Sequence, residues 1–212
     1  MSRVRILLAD DHSLVLEAFR KLLEPEHDVV GTATDGHALM ASAQRLKPDI
    51  VVVDIGMPLL NGLDAARQLK LHMPGVKLIF LTMAKDPELA REAMELGASA
   101  YLLKSSAASE LTTAIREALC GRKYVTPFIR RELEKAFIED PTPKKTRNEL
   151  TPRQREVLQL LAEGRPMKEV ADILHTSERT VAFHKYRMMA RLHLKSSAEL
   201  IRYATKLHLV DQ

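Results

Sequence analysis

Ile50-Val51-Val52-Val53-Asp54-Ile55-Gly56-Met57-Pro58 is a short apolar run that ends on a carboxylate and is then broken by Gly and Pro. Apolar residues without alternation are expected of a strand buried on both faces, the situation of a parallel sheet flanked by helices. Leu78-Ile79-Phe80-Leu81 has the same character and ends on Thr82; Ile6-Leu7-Leu8-Ala9 ends on Asp10-Asp11; Tyr101-Leu102-Leu103 ends on Lys104. In an open parallel sheet the C-terminal strand ends converge on one crevice, where such folds bind ligands. Three carboxylates gathered there repel one another unless a cation sits among them.

Working outward, short apolar runs alternate with segments of helical period. Strands are expected near 4–9, 28–34, 50–54, 77–82 and 100–103, and helices near 13–23, 37–46, 62–72, 87–96 and 107–120. Turn signals agree: Pro48 before the third strand, Asn61-Gly62 before the third helix, Pro74-Gly75 after it, and Asp86-Pro87 as cap and first-turn proline of the fourth. The fold class is α/β, a doubly wound five-stranded parallel sheet over residues 1–120, followed by a small all-α helix-turn-helix domain over 148–212. Residues 121–147 form the connector, with helical spacing from Phe128 to Ile138 and a stiff Asp140-Pro141-Thr142-Pro143 tether.

In the last part, helices are expected near 152–162, 167–174, 178–192 and 197–208. The polar turn Thr176-Ser177-Glu178-Arg179-Thr180 separates a short helix from a longer one, the proportion of a helix-turn-helix. On the longer helix Val181, Met188 and Leu192 share a core face, while Phe183, Tyr186, Arg187 and Ala190 face the other way with Ala182 at the edge. Arg187 suits guanine or phosphate, Phe183 a thymine methyl group, and Tyr186 either base or backbone. Lys168, Arg179, Thr180, His184, Lys185 and Arg191 suit phosphate contact.

Charge and composition fit this division. Residues 144–212 hold 14 Lys and Arg against 8 Asp and Glu, whereas residues 1–143 hold 18 against 20. A basic half joined to an acidic half points to a polyanion partner for one and a cation for the other. The single cysteine, Cys120, excludes an intramolecular disulfide framework. The apolar stretch after Met1 stops at Asp10, too short for a signal peptide, and no run of about 18 apolar residues exists to span a membrane. A cytoplasmic protein with no membrane partner is expected.

Asp10-Asp11, Asp54-Ile55-Gly56-Met57-Pro58 with Asn61-Gly62, Leu81-Thr82-Met83 and Gly97-Ala98-Ser99-Ala100-Tyr101-Leu102-Leu103-Lys104 together resemble the receiver domain of two-component response regulators. Leu150-Thr151-Pro152-Arg153-Gln154-Arg155-Glu156-Val157-Leu158, Lys168-Glu169-Val170-Ala171, Thr180-Val181, His184 and Leu194-Lys195-Ser196-Ser197-Ala198-Glu199-Leu200 resemble the LuxR-type DNA-binding domain. The whole chain is similar to the NarL/FixJ group of transcriptional response regulators.

That resemblance implies roles at the matching positions. Asp54 becomes the phosphoryl acceptor; Asp11, Asp54 and the Gly56 carbonyl become ligands of Mg²⁺, with Asp10 acting mainly through a metal-bound water; Lys104 and Thr82 contact the phosphoryl group and Tyr101 acts as a switch. Magnesium is also favoured by the hard oxygen donors and by the lack of His or Cys in those motifs. The implied partners are a sensor histidine kinase, promoter DNA, a second copy of the chain upon phosphorylation through the last helix, and RNA polymerase. Ala84, two residues after Thr82, leaves water access to an acyl phosphate open. Met167, His175 and His193 depart from the family habit, the two histidines standing where glycines commonly end helices. Two rival classes are an Mg²⁺-dependent aspartate phosphatase, for which the chain lacks a substrate cap, and a binding protein whose acidic site is only structural.

Overall fold

The computed structural model describes residues 3–139 and 150–210. The proline-rich tether expected at 140–143 lies outside the described residues. The first part alternates β1 (Arg5–Ala9), α1 (Ser13–Leu23), β2 (Asp28–Ala33), α2 (Gly36–Leu46), β3 (Ile50–Asp54), α3 (Gly62–His72), β4 (Lys77–Thr82), α4 (Pro87–Glu95), β5 (Ala100–Leu103) and α5 (Lys104–Leu119). The strands form one parallel sheet in the order β2-β1-β3-β4-β5-β6, in which β6 is Tyr124–Val125. The sheet thus has six strands where the sequence pattern gave five; β6 is two residues long, too short to carry a periodic signal.

Successive side chains of a strand point to opposite faces, so the apolar runs feed two cores. Leu7, Val51, Val53, Leu78 and Phe80 pack on one side of the sheet, and Ile6, Leu8, Ile50, Val52, Ile79 and Leu81 on the other. Burial on both sides explains the missing alternation. Helix starts are set by local chemistry: Asp35 accepts from Ala38 N–H, Asn61 from Asp64 N–H and Asp86 from Glu88 N–H, the last followed by Pro87. Helix α5 begins at Lys104, three residues before the expected start, since Lys104-Ser105-Ser106 carry no apolar spacing to reveal it. Beyond β6, α6 (Pro127–Glu139) packs against the first unit, with Ile129 fully buried in its core.

The remaining helices are α7 (Pro152–Ala162), α8 (Met167–Ile173), α9 (Glu178–Arg191) and α10 (Ser197–Lys206). Thr151 and Gln154 close a capping box at the start of α7, and Ser177 caps α9. Val157, Leu158, Val170, Val181, Met188, Leu200 and Ala204 make the small core. His175 and His193 adopt left-handed backbone conformations, φ 49° and 55°, directly after α8 and α9. Each tolerates a conformation that costs an L-residue about 1 kcal/mol, in a place where glycine costs nothing.

Candidate metal centre and nucleic-acid interface

Strand register brings the reactive residues together. Ala9 pairs with Val53, so Asp10 follows one strand beside Asp54 at the end of the next; Thr82 pairs with Leu103, so Lys104 leaves the sheet beside Thr82. The Lys104 Nζ lies 2.8 Å from Asp10 Oδ2 and 2.9 Å from Asp54 Oδ2. Two carboxylates thus share one ammonium in a buried place. Burial pulls the Lys104 ammonium toward its neutral form, but the two carboxylates outweigh that and hold its pKa above the usual lysine value.

Asp54 is 4% exposed. Burial pushes its pKa up to about 6, with the nearby Asp10 adding to the rise, against the opposing pull of Lys104 and a hydrogen bond from the Gly56 backbone. One lysine therefore does not neutralise this crevice. Oxygen atoms of Asp10, Asp11 and Asp54 and a ring nitrogen of His12 lie within 4.8 Å of one another. Three carboxylates gathered this closely against a single ammonium fit a bound divalent cation.

His12 is the member of this cluster that the sequence motifs overlooked. Its Nδ1 lies 2.7 Å from Asp11 Oδ1 and 3.2 Å from Asp10 Oδ1. The argument for magnesium from an absence of histidine is corrected accordingly: a nitrogen stands at the rim, although oxygen donors predominate. Its adjacency in Asp10-Asp11-His12 was the available signal.

The wall beside Asp54 depends on close backbone approach. A Cβ placed on Gly62 would sit 2.0 Å from the Asp54 carbonyl oxygen, so only glycine permits the loop 55–61 to return this tightly. On the opposite side Thr82 is buried, and its hydroxyl accepts from Ala84 N–H at 3.0 Å. Tyr101 is fully buried, its hydroxyl near Thr82 and in the field of Asp86 but without an aligned hydrogen-bond partner. Burial drives the phenol strongly toward its neutral form.

Helix α9 presents the surface expected of a DNA reader. Val181 and Met188 are buried, whereas Phe183 and Tyr186 are 56% and 61% exposed. Arg187 stacks over Phe183 at 5.7 Å and Lys185 over Tyr186 at 5.9 Å, so the aromatic rings orient the cations beside them. Lys168, Arg179 and Arg191 are exposed, and Thr180 and Ala182 are partly so. The Thr180 hydroxyl is shared with the capping Ser177 at 2.8 Å. His184 differs from its expected role: Nδ1 is buried without a partner, and burial together with Arg153 and Arg187 lowers its pKa, which leaves a neutral ring at pH 7.

Comparison with known proteins agrees with the geometry. Residues 6–116 match the response regulator receiver domain, and residues 148–204 match the bacterial regulatory proteins of the luxR family. The chain is similar to the oxygen regulatory protein NreC of Staphylococcus haemolyticus, 33% identical over 98% of this chain and 100% of that protein. NreC of a Staphylococcus aureus strain is 34% identical over 98% and 100%. Among solved structures, the Salmonella typhimurium RcsB response regulator shares 28% identity at a TM-score of 0.66, covering 97% and 98% of the two chains. RcsB bound to a promoter with the phosphomimetic BeF₃⁻ gives 28% identity and a TM-score of 0.63 over 97% and 100%.

A parallel sheet with an acidic crevice, joined to a basic helix-turn-helix, defines a signal-receiving DNA-binding regulator. The chain belongs to the NarL/FixJ group of response regulators. It acts in a two-component system with a sensor kinase; phosphorylation on aspartate controls its binding to promoter DNA and so transcription. The proteins it is similar to are response regulators and transcription factors, and no helix among the described residues is long and apolar enough to cross a membrane.

Proposed function

We propose that Asp54 is the phosphoryl acceptor and that the crevice catalyses its own phosphorylation with Mg²⁺. The carrying observation is Lys104 Nζ at 2.8 and 2.9 Å from Asp10 and Asp54 in a crevice that one cation does not neutralise. An Asp54 carboxylate oxygen attacks the phosphorus of a phosphohistidine or small acyl phosphate; the new P–O bond forms as the bond to the leaving group breaks. Asp11, Asp54 and the Gly56 carbonyl, with Asp10 behind a water, would hold the ion, which supplies positive charge to the transferring phosphoryl oxygens when bound. Lys104 supplies a second positive charge on the same side. Thr82 donates its hydroxyl to a phosphoryl oxygen, giving up its present contact with Ala84 N–H. Tyr101, buried with an unpartnered hydroxyl, follows that displacement.

The output lies on α9. Arg187, Phe183, Tyr186 and Ala182 read base edges, and Lys168, Arg179, Thr180, Lys185 and Arg191 track phosphates, with neutral His184 limited to a hydrogen bond. The receiver spans residues 1–120 and the DNA-binding domain 148–212, joined by a linker over 121–147 whose helix α6 seats Ile129 in the receiver core. Cytoplasmic location follows from DNA as partner, and the likeness to RcsB, which has been solved as dimers on DNA, supports a dimer on promoter DNA. The test is labelling by a small acyl phosphate: it should require Mg²⁺ and vanish in Asp54→Ala, and label that persists in the variant would reject the acceptor.

A further inference from the structure

The strand that delivers Lys104 is finished by a residue of the linker. Leu103 ends β5, and α5 starts at Lys104 with no side-chain cap from Leu103. The aim of the ammonium, at 2.8 and 2.9 Å from Asp10 and Asp54, therefore depends on how that junction is held. Along the open edge of β5 runs β6, with Tyr101 beside Val125. Thr126 N–H donates to the Tyr101 carbonyl at 3.0 Å, as the parallel ladder requires. The next rung would join Leu103 N–H to the Thr126 carbonyl. That carbonyl is turned into α6 instead, where it accepts from Arg130 N–H at 3.0 Å, because the chain enters the helix at Pro127.

The Thr126 side chain takes the place of its own carbonyl. Its hydroxyl accepts from Leu103 N–H at 3.2 Å and donates to Glu110 Oε2 at 2.8 Å. Thr126 and Leu103 are both buried, 4% and 5% exposed, so loss of the hydroxyl would leave the Leu103 N–H without a partner away from water. Leu103 immediately precedes Lys104, and Glu110 lies nearly two turns further along α5. One buried group thus ties both sides of the lysine. The receiver match covers residues 6–116, so this tie comes from outside it.

We propose that Thr126 is a positioning residue for phosphoryl transfer: through Leu103 and Glu110 it holds the β5–α5 junction so that the Lys104 ammonium reaches the crevice. The proposal rests on Asp54 being the acceptor with Lys104 as the cation beside it. That cation must stand where negative charge gathers on the transferring group, and a shift of about 1 Å costs up to about 100-fold in rate. The linker is therefore part of the phosphorylation machinery as well as a tether.

The test is labelling of the full chain by acetyl phosphate with Mg²⁺, arranged as a double-mutant cycle with Lys104. Thr126→Val keeps the shape and removes the hydroxyl. It should slow labelling by about 10-fold and deprotect the Leu103 amide in hydrogen exchange, with β1 and β3 protected as in the parent protein. Thr126→Ser, which restores the hydroxyl, should recover most of the rate. In a Lys104→Met background Thr126→Val should have no further effect, since its route to the reaction is gone, whereas a merely structural loss would add to that of Lys104→Met. If Thr126→Val does not fold, Glu110→Ala carries the same comparison from the α5 side, with a smaller loss that again disappears with Lys104→Met; a parental rate there would count against the proposal. Labelling of folded Thr126→Val at the parental rate, or an undiminished loss in the Lys104→Met background, would overturn it. Label that persists in Asp54→Ala would reject the acceptor assignment itself, whatever the Thr126 comparison shows.

Discussion

Replacing Asp54 by Asn in metal-free protein should stabilise the receiver at neutral pH, although it removes a partner of Lys104. Burial and Asp10 hold the Asp54 carboxyl near a pKa of about 6, against an ordinary value of 3.8. The folded protein thus keeps its proton over a window where the unfolded chain has lost it. Stability contributed by this group is present at low pH, falls as pH rises from about 4 to about 6, and stays lost above that. The gap, at about 1.4 kcal/mol per pH unit, amounts to about 3 kcal/mol at pH 7. Asn mimics the neutral acid and escapes this penalty. The assay is urea denaturation read by pulsed hydrogen exchange of the β3 amides, at pH 4.5 and pH 7.5, with a metal chelator present (pH chosen at about the edges of that window). Between these two pH values the advantage of the variant should grow by about 2 kcal/mol, about 1 kcal/mol of the total being already present at pH 4.5, and Mg²⁺ should restore stability only to the parent protein. An advantage that does not change with pH, or that shrinks as pH rises, would refute the reasoning that burial outweighs Lys104 at this site.

Three further outcomes follow from the same geometry. Lys104→Met leaves Asp10 and Asp54 facing each other without their shared cation, and should cost about 3 kcal/mol in metal-free protein, recovered in part by Mg²⁺ in the same denaturation assay. Gly62→Ala drives a methyl group against the Asp54 carbonyl and should destabilise the receiver by about 1–3 kcal/mol, visible as lost exchange protection in β3 and α3. Arg187→Ala should weaken binding to a selected operator by about 1–3 kcal/mol and relax one base position, whereas Lys168→Ala should weaken all sequences alike and reduce the salt slope by about 1.

The sheet was legible because its central strands are buried twice over: Ile50 to Val53 and Leu78 to Leu81 admit no polar residue, so their ends could be located to the residue. Asp10, Asp54, Thr82 and Lys104 then followed from where parallel strands finish, and the register brings them together. What the sequence left hidden depends on contacts between distant segments. Tyr124–Val125 is too short to announce a strand, and nothing in the helical position of His184, which suits phosphate contact, signals that its Nδ1 is buried. Thr126, just before α6, carried no pattern at all. Its meaning comes from Leu103 and Glu110, earlier in the chain, and no periodicity encodes such a meeting.

The account stands on chemistry at the strand ends governing the helix that reads DNA. The most direct test is the affinity of the full chain for one operator, selected from a random pool, measured with and without acetyl phosphate and Mg²⁺. Phosphorylation should tighten binding by about 5-fold or more, and Asp54→Ala should show no response. Equal affinity in both states of the parent protein, or a full response in Asp54→Ala, would contradict it.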